Sequence, residues 1–307
     1  MPRVSVLMPV YNARRYLAES LESVLAQTFG DLELVAVDDG SSDGSSGILA
    51  EAARREPRLV VLRQANAGIV SALNAGLARC SGAYVARIDA DDLAEPGRLA
   101  TQVAHLDAHP GIFAVGSAAR VIDPRGRGLG LTRPPLEHSQ IDAAHLRGES
   151  AIHHSAVMLR SDAVHRVGGY REGTCPAEDY DLWLRLGEVG RLANLPEPLM
   201  WWRRTTTGIL ASTLREQEQV VARILAEAWE RRGLPGSPPA PRRAIQSRAD
   251  LYRQWGWMAH ASGDRLLAAH YGLRASLREP WSPHAWRLLA VALRDAWTRR
   301  GAEAARG

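Results

Sequence analysis

Three aspartates at the end of one apolar run carry the strongest chemical signal in the sequence. Residues 84–93 read Tyr-Val-Ala-Arg-Ile-Asp-Ala-Asp-Asp-Leu, so Asp89, Asp91 and Asp92 follow a strand-like segment. Side chains at i and i+2 of an extended backbone point the same way, and Asp89 and Asp91 can therefore converge on one ligand. Oxygen ligands of this kind suit Mg²⁺ or Mn²⁺, which can bridge two phosphates. The alternative is an acidic loop that caps a helix starting near Glu95.

The composition excludes several kinds of chemistry. The 307 residues are 46% hydrophobic, enough for about two domains. All 38 basic residues are arginine, which excludes a Walker P-loop and a pyridoxal Schiff base. Cys80 and Cys175 give no disulfide framework, and we find neither a signal peptide nor a membrane-spanning run. These observations predict a cytoplasmic protein.

The order of apolar segments predicts an α/β fold. Predicted strands cover residues 4–10, 32–37, 59–63 and 84–89, and predicted helices separate them at residues 17–29, 45–55 and 68–79. Such βα units with short loops predict a doubly wound, mostly parallel sheet flanked by helices. The first junction, Pro9-Val10-Tyr11-Asn12, lacks the Gly-x-Gly-x-x-Gly of dinucleotide-binding folds, which argues against a nicotinamide enzyme.

The remainder of the chain changes character twice. Residues 111–122 read as a further strand and residues 123–135 as a loop rich in Gly, Pro and Arg. Beyond residue 210 the sequence predicts a C-terminal helical region, 211–307, with a Pro-rich linker at 234–241 and helix breaks at Gly263 and Pro280. We therefore predict a first domain over 1–210, divided at about residue 110, and a second region over 211–307.

Polar side chains at the ends of the predicted strands could hold a nucleoside. Open α/β sheets bind ligands at the carboxyl ends of their strands. There the Tyr11 loop could pack on a base, Asp38 could accept a hydrogen bond from base or ribose, and Asp89 and Asp91 could present a metal ion to the phosphates.

Four segments together resemble the successive motifs of family 2 glycosyltransferases. They are Val-Ser-Val-Leu-Met-Pro-Val-Tyr-Asn at 4–12, Val-Asp-Asp-Gly-Ser-Ser-Asp at 37–43, Asn-Ala-Gly-Ile-Val-Ser-Ala-Leu-Asn at 66–74 and Ala-Arg-Ile-Asp-Ala-Asp-Asp at 86–92. The resemblance covers about residues 4–204, and it implies that 1–210 is the catalytic domain, with a nucleotide-sugar-binding half over about 1–110 and an acceptor-binding half over about 111–210. It implies a GT-A fold, a divalent metal ion (Mn²⁺ or Mg²⁺), a nucleotide-sugar donor and inverting transfer of the sugar.

The resemblance also implies roles for individual residues. Asp38 matches the base-contacting aspartate, and Asp89 and Asp91 match the metal and ribose motif. The implied nucleotide-sugar-binding residues are Pro9, Val10, Tyr11, Asp38, Asn66, Gly68, Arg87, Asp89 and Ala90, and the implied metal ligands are Asp89, Asp91 and His154. His154 could equally be structural. Arg87 could pair with Asp38 or Asp89, or face solvent.

A second acidic pair supplies a candidate general base. Inverting transfer requires a carboxylate that takes the proton of the attacking acceptor hydroxyl. Glu178 and Asp179 open a predicted helix, whose N-terminus favours the ionised form. The pair resembles the family's Glu-Asp motif, in which the aspartate is the base, so Asp179 is the predicted catalytic residue. A capping pair without a chemical role is the alternative.

The predicted function is thus hexosyl transfer from a nucleotide-diphosphate sugar, a UDP-sugar by expectation, to a glycan or lipid-linked glycan in cell-surface polysaccharide synthesis. No nucleic-acid partner is expected. A catalytically inactive nucleotide-sugar-binding subunit and a sugar nucleotidylyltransferase are the alternatives. The latter would need a Gly-rich N-terminal loop and usually a lysine, and both are missing.

The basic C-terminal region suggests a further partner. Residues 231–307 contain 14 arginines against five acidic residues, while residues 1–230 carry a balance of −5. Trp286, Leu289, Ala290, Leu293 and Trp297 fall on one helical stripe beside Arg287, Arg294, Arg299 and Arg300. The stripe could meet an anionic membrane at the inner face of the cytoplasmic membrane. Packing against the preceding helices is the alternative.

Overall fold

The computed structural model describes residues 1–205, 214–240 and 247–304, with the backbone alone at 214, 215 and 298–304. Two compact units alternate along the chain. Unit 1 comprises Met1–Ala119, Arg133–Trp202 and Arg215–Arg242, and unit 2 comprises Arg120–Thr132, Arg203–Leu214 and Arg243–Gly307.

Strands and helices alternate through the first half of the chain. The strands are β1 Val4–Val10, β2 Leu32–Asp39, β3 Leu59–Gln64, β4 Tyr84–Arg87, β5 Leu93–Ala94, β6 Ile112–Ile122, β7 Gly128–Leu131, β8 Met158–Arg160 and β9 Arg191–Arg203. The helices are α1 Leu17–Leu25, α2 Ser45–Arg55, α3 Ile69–Arg79, α4 Arg98–Ala108, α5 His138–His145, α6 Ser161–Arg166, α7 Glu178–Val189, α8 Leu214–Arg231, α9 Arg248–Ala261, α10 Arg265–Arg278 and α11 Pro283–Ala304.

The strands form one mixed sheet in the order β3-β2-β1-β4-β8-β6-β9-β5, with β7 paired to β6. The first four strands of this order are parallel, and β8 then pairs antiparallel with both β4 and β6. In the parallel part, Val10 lies opposite Asp38 and Asp38 lies opposite Arg63. The carboxyl ends of β1, β2 and β3 therefore reach the same edge, as the sequence predicted.

Helices cover both faces of the sheet, and successive side chains of β1 pack against opposite layers of helices. Val4, Val6 and Met8 of β1 join one buried cluster with the apolar faces of α1, α2 and α4, whereas Leu7 joins another with α3 and α7. Close packing requires Gly76 in α3, because a Cβ atom there would lie 2.1 Å from Leu7 Cδ1. The prediction of helices on both sides of the sheet is confirmed.

Two details differ from expectation. The predicted loop at 123–135 contains β7, whose four residues Gly-Leu-Gly-Leu are too short and too glycine-rich to stand out as a strand. Helix α8 packs within unit 1, where Ile224 and Ala228 join a buried cluster with Tyr180 and Leu184. The division into 1–210 and 211–307 stays a prediction. No helix or strand occupies 234–240 of the predicted linker, and residue 241 lies outside the described residues.

Unit 2 is built on the three helices α9, α10 and α11, with breaks at the predicted Gly263 and Pro280. Its core contains aromatic side chains. The rings of Trp255 and Tyr271 pack edge to face, with their centroids 5.2 Å apart. The Tyr271 hydroxyl donates to the buried Asp123 carboxylate at 2.7 Å. Over the described ranges 1–205, 214–240 and 247–304, no helix combines the length and apolarity needed to cross a bilayer.

Candidate active site

The loops that follow β1 and β2 are fastened to each other at the carboxyl edge of the sheet. Asn12 has φ 49° and accepts a hydrogen bond from the Ser42 amide at 2.9 Å, while its own amide donates to Ser41 Oγ. Tyr11, at the end of β1, has 55% of its surface exposed above this edge, whereas Pro9 and Val10 are buried in β1. An exposed ring beside a fixed polar loop suits stacking on a base.

The two aspartates that end β2 have different partners. Asp38 accepts from the Ser41 amide at 3.0 Å and from Ser46 Oγ at 2.5 Å, and the Arg63 guanidinium lies 3.6 Å away. Burial alone would raise the pKa of the Asp38 carboxyl, but these hydrogen bonds and Arg63 lower it. Asp38 is thus an ionised acceptor at the strand end.

Asp39 holds the loop that carries two predicted donor-binding residues. Its carboxylate accepts from the amides of Ala67 and Gly68 at 2.9 and 3.0 Å. Asn66 and Gly68 are both exposed in this loop. The turn after Asp39 needs glycine, because Gly40 has φ 75° and a Cβ atom there would lie 2.7 Å from the Asn66 amide nitrogen.

Arg87 and Asp89 form a bidentate ion pair at the end of β4. Both terminal guanidinium nitrogens of Arg87 lie 2.5 Å from an Asp89 carboxylate oxygen. Ser155 Oγ donates to Asp89 at 2.8 Å and accepts from the Asp89 amide and from Arg87. Burial of Arg87 would lower its pKa, but the Asp89 carboxylate raises it. Of the alternatives left open by the sequence, the structure shows pairing with Asp89.

Asp89, Asp91 and Asp92 form the candidate metal site. One oxygen from each carboxylate lies within 4.8 Å of the other two. Asp89 and Asp91 are half-buried, while Asp92 is only 1% exposed. Three oxygen ligands in this arrangement fit a hard divalent ion such as Mg²⁺ or Mn²⁺. The roles of Asp89 and Asp91 as metal ligands stay predictions, and Ala90 between them is buried.

His154 is not one of the three residues of the candidate metal site. It lies close enough to Arg87 for that charge to affect its pKa. Its Nε2 atom lies 2.7 Å from the Tyr170 hydroxyl, and its ring meets Trp183 edge to face at 5.9 Å. Burial and the Arg87 charge lower the pKa of His154 well below its usual value, so the ring is neutral. Its role as a metal ligand stays a prediction.

Glu178 and Asp179 are the first two residues of α7, and the charges of Arg87 and Asp89 affect the pKa values of both. Burial raises the pKa of the Glu178 carboxyl to about 7, with Asp179 as the next cause, and burial likewise raises the pKa of Asp179. For both groups Arg87 acts in the lowering direction and Asp89 in the raising direction. Burial therefore outweighs the helix N-terminus that was expected to favour ionisation. Glu178 Oε2 is buried and has no hydrogen-bond partner among the residues that the structure describes.

Glu178 should make stability depend on pH near neutrality. The pKa of the Glu178 carboxyl rises from 4.5 in the unfolded chain to about 7 in the fold. The protonated carboxyl therefore stabilises the fold fully below pH 4.5, and this stabilisation is lost as the pH rises through about 7. We expect Glu178→Gln to become more stable than wild type by up to about 3 kcal/mol between pH 5 and 8. Urea unfolding at several pH values, with a chelator present, measures the difference.

The exposed Glu172 supplies a matched control for this measurement. Glu172→Gln should follow the wild-type pH profile. If the profiles of wild type and Glu178→Gln ran parallel across this range, the Glu178 carboxyl would not titrate as described.

The supporting residues around the site were missed by sequence reasoning. Ser155 fixes Asp89 and Arg87, Tyr170 contacts His154, and Asp39 holds the Asn66 loop. Ser155 directly follows the predicted His154, which was a usable signal. Tyr170 had none, because its position depends on the fold of the segment between β8 and α7.

This chain is similar in sequence to known glycosyltransferases. The sequence model described as Glycosyl transferase family 2 matches residues 5–168. The amylovoran biosynthesis glycosyltransferase AmsE of Erwinia amylovora is 36% identical over 200 residues, which cover 64% of this chain and 74% of that relative. This chain belongs to glycosyl transferase family 2. The predicted enzyme class, a glycosyltransferase rather than a sugar nucleotidylyltransferase, is confirmed.

Solved structures confirm the fold. The mannosyltransferase PcManGT from Pyrobaculum calidifontis, in complex with GDP-Man and Mn²⁺, aligns with TM-score 0.57 and 24% identity over 97% of this chain and 88% of that chain. S. aureus TarS 1–349 in complex with UDP-GlcNAc aligns with TM-score 0.60 and 17% identity over 97% and 92%. At these identities the likeness concerns the fold, and it confirms the GT-A prediction.

Proposed function

We propose that this glycosyltransferase moves a hexose from a nucleoside-diphosphate sugar, a UDP-sugar, to a hydroxyl of a glycan or lipid-linked glycan, with inversion at the anomeric carbon. One observation carries the proposal. The Asp89 carboxylate of the candidate metal site binds the buried Arg87 guanidinium, and the same guanidinium acts on the charges of Glu178 and Asp179 at the start of α7. This shared arginine supports a candidate metal site and a candidate general base that lie close together.

The donor would lie along the carboxyl edge of the parallel strands. Tyr11 would stack on the base, Asp38 would accept from base or ribose, and the loop of Asn66 and Gly68 would border the nucleoside. Asp89 and Asp91 would hold Mn²⁺ or Mg²⁺, which when bound neutralises charge on the diphosphate. Arg87 adds a positive charge behind Asp89 and keeps that carboxylate in a fixed orientation.

Asp179 would take the proton of the acceptor hydroxyl. As that oxygen attacks the anomeric carbon, the bond from this carbon to the diphosphate oxygen breaks and the nucleoside diphosphate leaves. The raised pKa of Asp179 makes its carboxylate a stronger base than an exposed aspartate. Glu178 also has a raised pKa, but it is only 7% exposed whereas Asp179 is half-buried, so Asp179 is the more accessible of the two to an acceptor hydroxyl.

The biological setting of the proposal follows from the relative and the fold neighbours. The name of AmsE places that protein in amylovoran biosynthesis, and PcManGT and TarS are in complex with a nucleotide sugar. We propose a role in cell-surface polysaccharide synthesis, from the cytoplasmic side of the membrane.

Thermal shift with a panel of nucleotide sugars tests the donor class. With Mn²⁺ present, a UDP-sugar at about 100 times its Kd should stabilise the fold by about 2.7 kcal/mol, which raises Tm by about 4 °C. Sugars linked to other nucleotides should give smaller shifts. A larger shift with GDP-sugars would contradict the UDP assignment, and binding without UDP release for any acceptor offered would favour an inactive subunit.

A further inference from the structure

Helix α10 of unit 2 exposes a stripe of leucines. Leu266, Leu273 and Leu277 are 65%, 46% and 71% exposed. Their spacing of seven and four residues puts them on one side of the helix. The opposite side of α10 is buried through Ala268, Tyr271 and Ala275. An exposed apolar stripe of three leucines is unusual on a helix whose other side already supplies the core.

Helix α11 repeats this pattern with larger side chains. Trp286, Leu293 and Trp297 are 48%, 52% and 81% exposed and show the same spacing of seven and four residues. Trp281, in the connection between the helices, is 94% exposed. Packing of α11 uses Ala285, Leu288 and Ala292 instead. The structure thus contradicts the packing alternative for Trp286, Leu293 and Trp297, whereas Leu289 of the predicted stripe is half-buried.

The two stripes lie on the same side of the α10–α11 pair. The helices contact each other where Gly272 meets Leu289, and α9 contacts both, since Gly256 lies against Ala268 and Leu288. On each helix the exposed stripe points away from its contacts with α9. We define Leu266, Leu273, Leu277, Trp281, Trp286, Leu293 and Trp297 as the outer apolar face.

Arginines border this face on both helices. Arg274 and Arg278 on α10 and Arg287 and Arg294 on α11 are exposed, and each follows a member of the face by one residue. Some of these charges have partners, since Arg294 binds Asp295 and the guanidinium groups of Arg274 and Arg278 lie over the Tyr252 ring of α9. Asp264 caps α10 and Glu279 binds Arg253. From residue 265 to residue 297, five arginines stand against two acidic residues, so the charge along the apolar surface is positive on balance.

We propose that the outer apolar face binds the surface of an anionic lipid bilayer. Exposed tryptophans and leucines between arginines match the composition of helices that lie in the headgroup region. In this arrangement the two helices would lie along the membrane surface with their arginines at the level of the lipid phosphates. The side chains of Arg299 and Arg300, also expected to contribute, lie outside the described residues. The inference stands independently of the donor and would place the enzyme beside a lipid-linked acceptor.

Vesicle flotation with the full chain tests the proposal. Wild-type protein should float with vesicles that contain phosphatidylglycerol and stay unbound with pure phosphatidylcholine vesicles. Binding should weaken as salt rises, because the Debye length falls from about 10 Å at 0.1 M to about 3 Å at 1 M. Absence of flotation with anionic vesicles at low salt would overturn the proposal.

Two sets of variants separate the apolar and the charged contributions. Leu277→Gln with Leu293→Gln and Trp297→Gln should abolish flotation, whereas Leu131→Gln with Val189→Gln, two other exposed apolar positions, should leave it unchanged. Arg287→Gln with Arg294→Gln should weaken partitioning by about 30-fold, since each basic residue contributes about 1 kcal/mol. The control pair is Arg54→Gln with Arg55→Gln, both exposed on α2.

Folding of each variant is checked by its UDP affinity and its Tm. If the triple variant failed to fold, the arginine pair would still decide the question. Flotation unchanged by both sets of variants would overturn the proposal. So would a dimer in sedimentation velocity that the triple variant abolishes while vesicles stay unbound, because the face would then belong to a second copy of the chain.

Discussion

Replacing Asp179 by asparagine is expected to lower turnover by about 10²–10⁴-fold, the usual cost of losing a general base. The substitution keeps the size of the side chain and its oxygen can still accept from the Tyr180 amide, which lies 2.7 Å from the carboxylate in the wild type. Folding and UDP affinity should therefore stay near their wild-type values. The assay is UDP release at saturating donor, with UDP affinity measured separately by calorimetry.

Two further variants make the result specific. Asp162→Asn changes an exposed aspartate whose ion pair with Arg166 lies at the surface, and it should keep full turnover. Glu178→Gln should keep most of its turnover if Asp179 is the base. Near-normal turnover in Asp179→Asn, together with a large loss in Glu178→Gln, would move the role of base to Glu178.

Asp91→Ala is expected to weaken UDP binding in the presence of Mn²⁺ by at least about 10–100-fold, the range found even for groups that only support a metal ligand. Without the ion the diphosphate would meet the remaining carboxylates directly and be repelled. Calorimetry of UDP with the exposed Asp31→Ala as control measures this loss. An affinity equal to that of wild type would exclude Asp91 as a ligand.

Asp91 is a better probe of the metal site than Asp89. Asp89 neutralises the buried Arg87 through two hydrogen bonds. Removing Asp89, although its own side chain is 41% exposed, would leave the charge of the buried Arg87 without this partner and would destabilise the fold. Loss of function in Asp89→Ala would therefore mix loss of the ligand with partial unfolding.

The sequence predicted strands and helices where a long segment shows one clear hydrophobic pattern. Val4–Val10 and Leu32–Asp39 are buried on both sides and read as continuous apolar runs, while Ser45–Arg55 has a helical period. The short strands Gly128–Leu131 and Met158–Arg160 carry too few residues to show a period. Their pairing depends on which strands the fold brings beside them, so the antiparallel half of the sheet was not predictable from local pattern.

Some residues of the candidate site were likewise predictable from the sequence, and others were not. Residues that end strands, such as Asp38 and Asp89, could be named because parallel strands bring their ends together. The partner of Arg87 could not, since a residue in a strand can pair along the strand, pair across the sheet, or face solvent. The sequence also did not decide which side of α11 is exposed, because Trp286 and Leu288 lie on two different apolar stripes. In the structure only Leu288 is buried.

Calorimetric titration of UDP into the wild-type protein, first with Mn²⁺ and then with a chelator, tests the role of the Asp89–Asp91 site most directly. Because a cluster of three carboxylates repels a diphosphate, we predict binding with Mn²⁺, an affinity at least about 10-fold weaker with the chelator, and full recovery when excess Mn²⁺ is restored. Equal affinity in all three conditions would contradict a metal ion at this site and, with it, the proposed mode of donor binding.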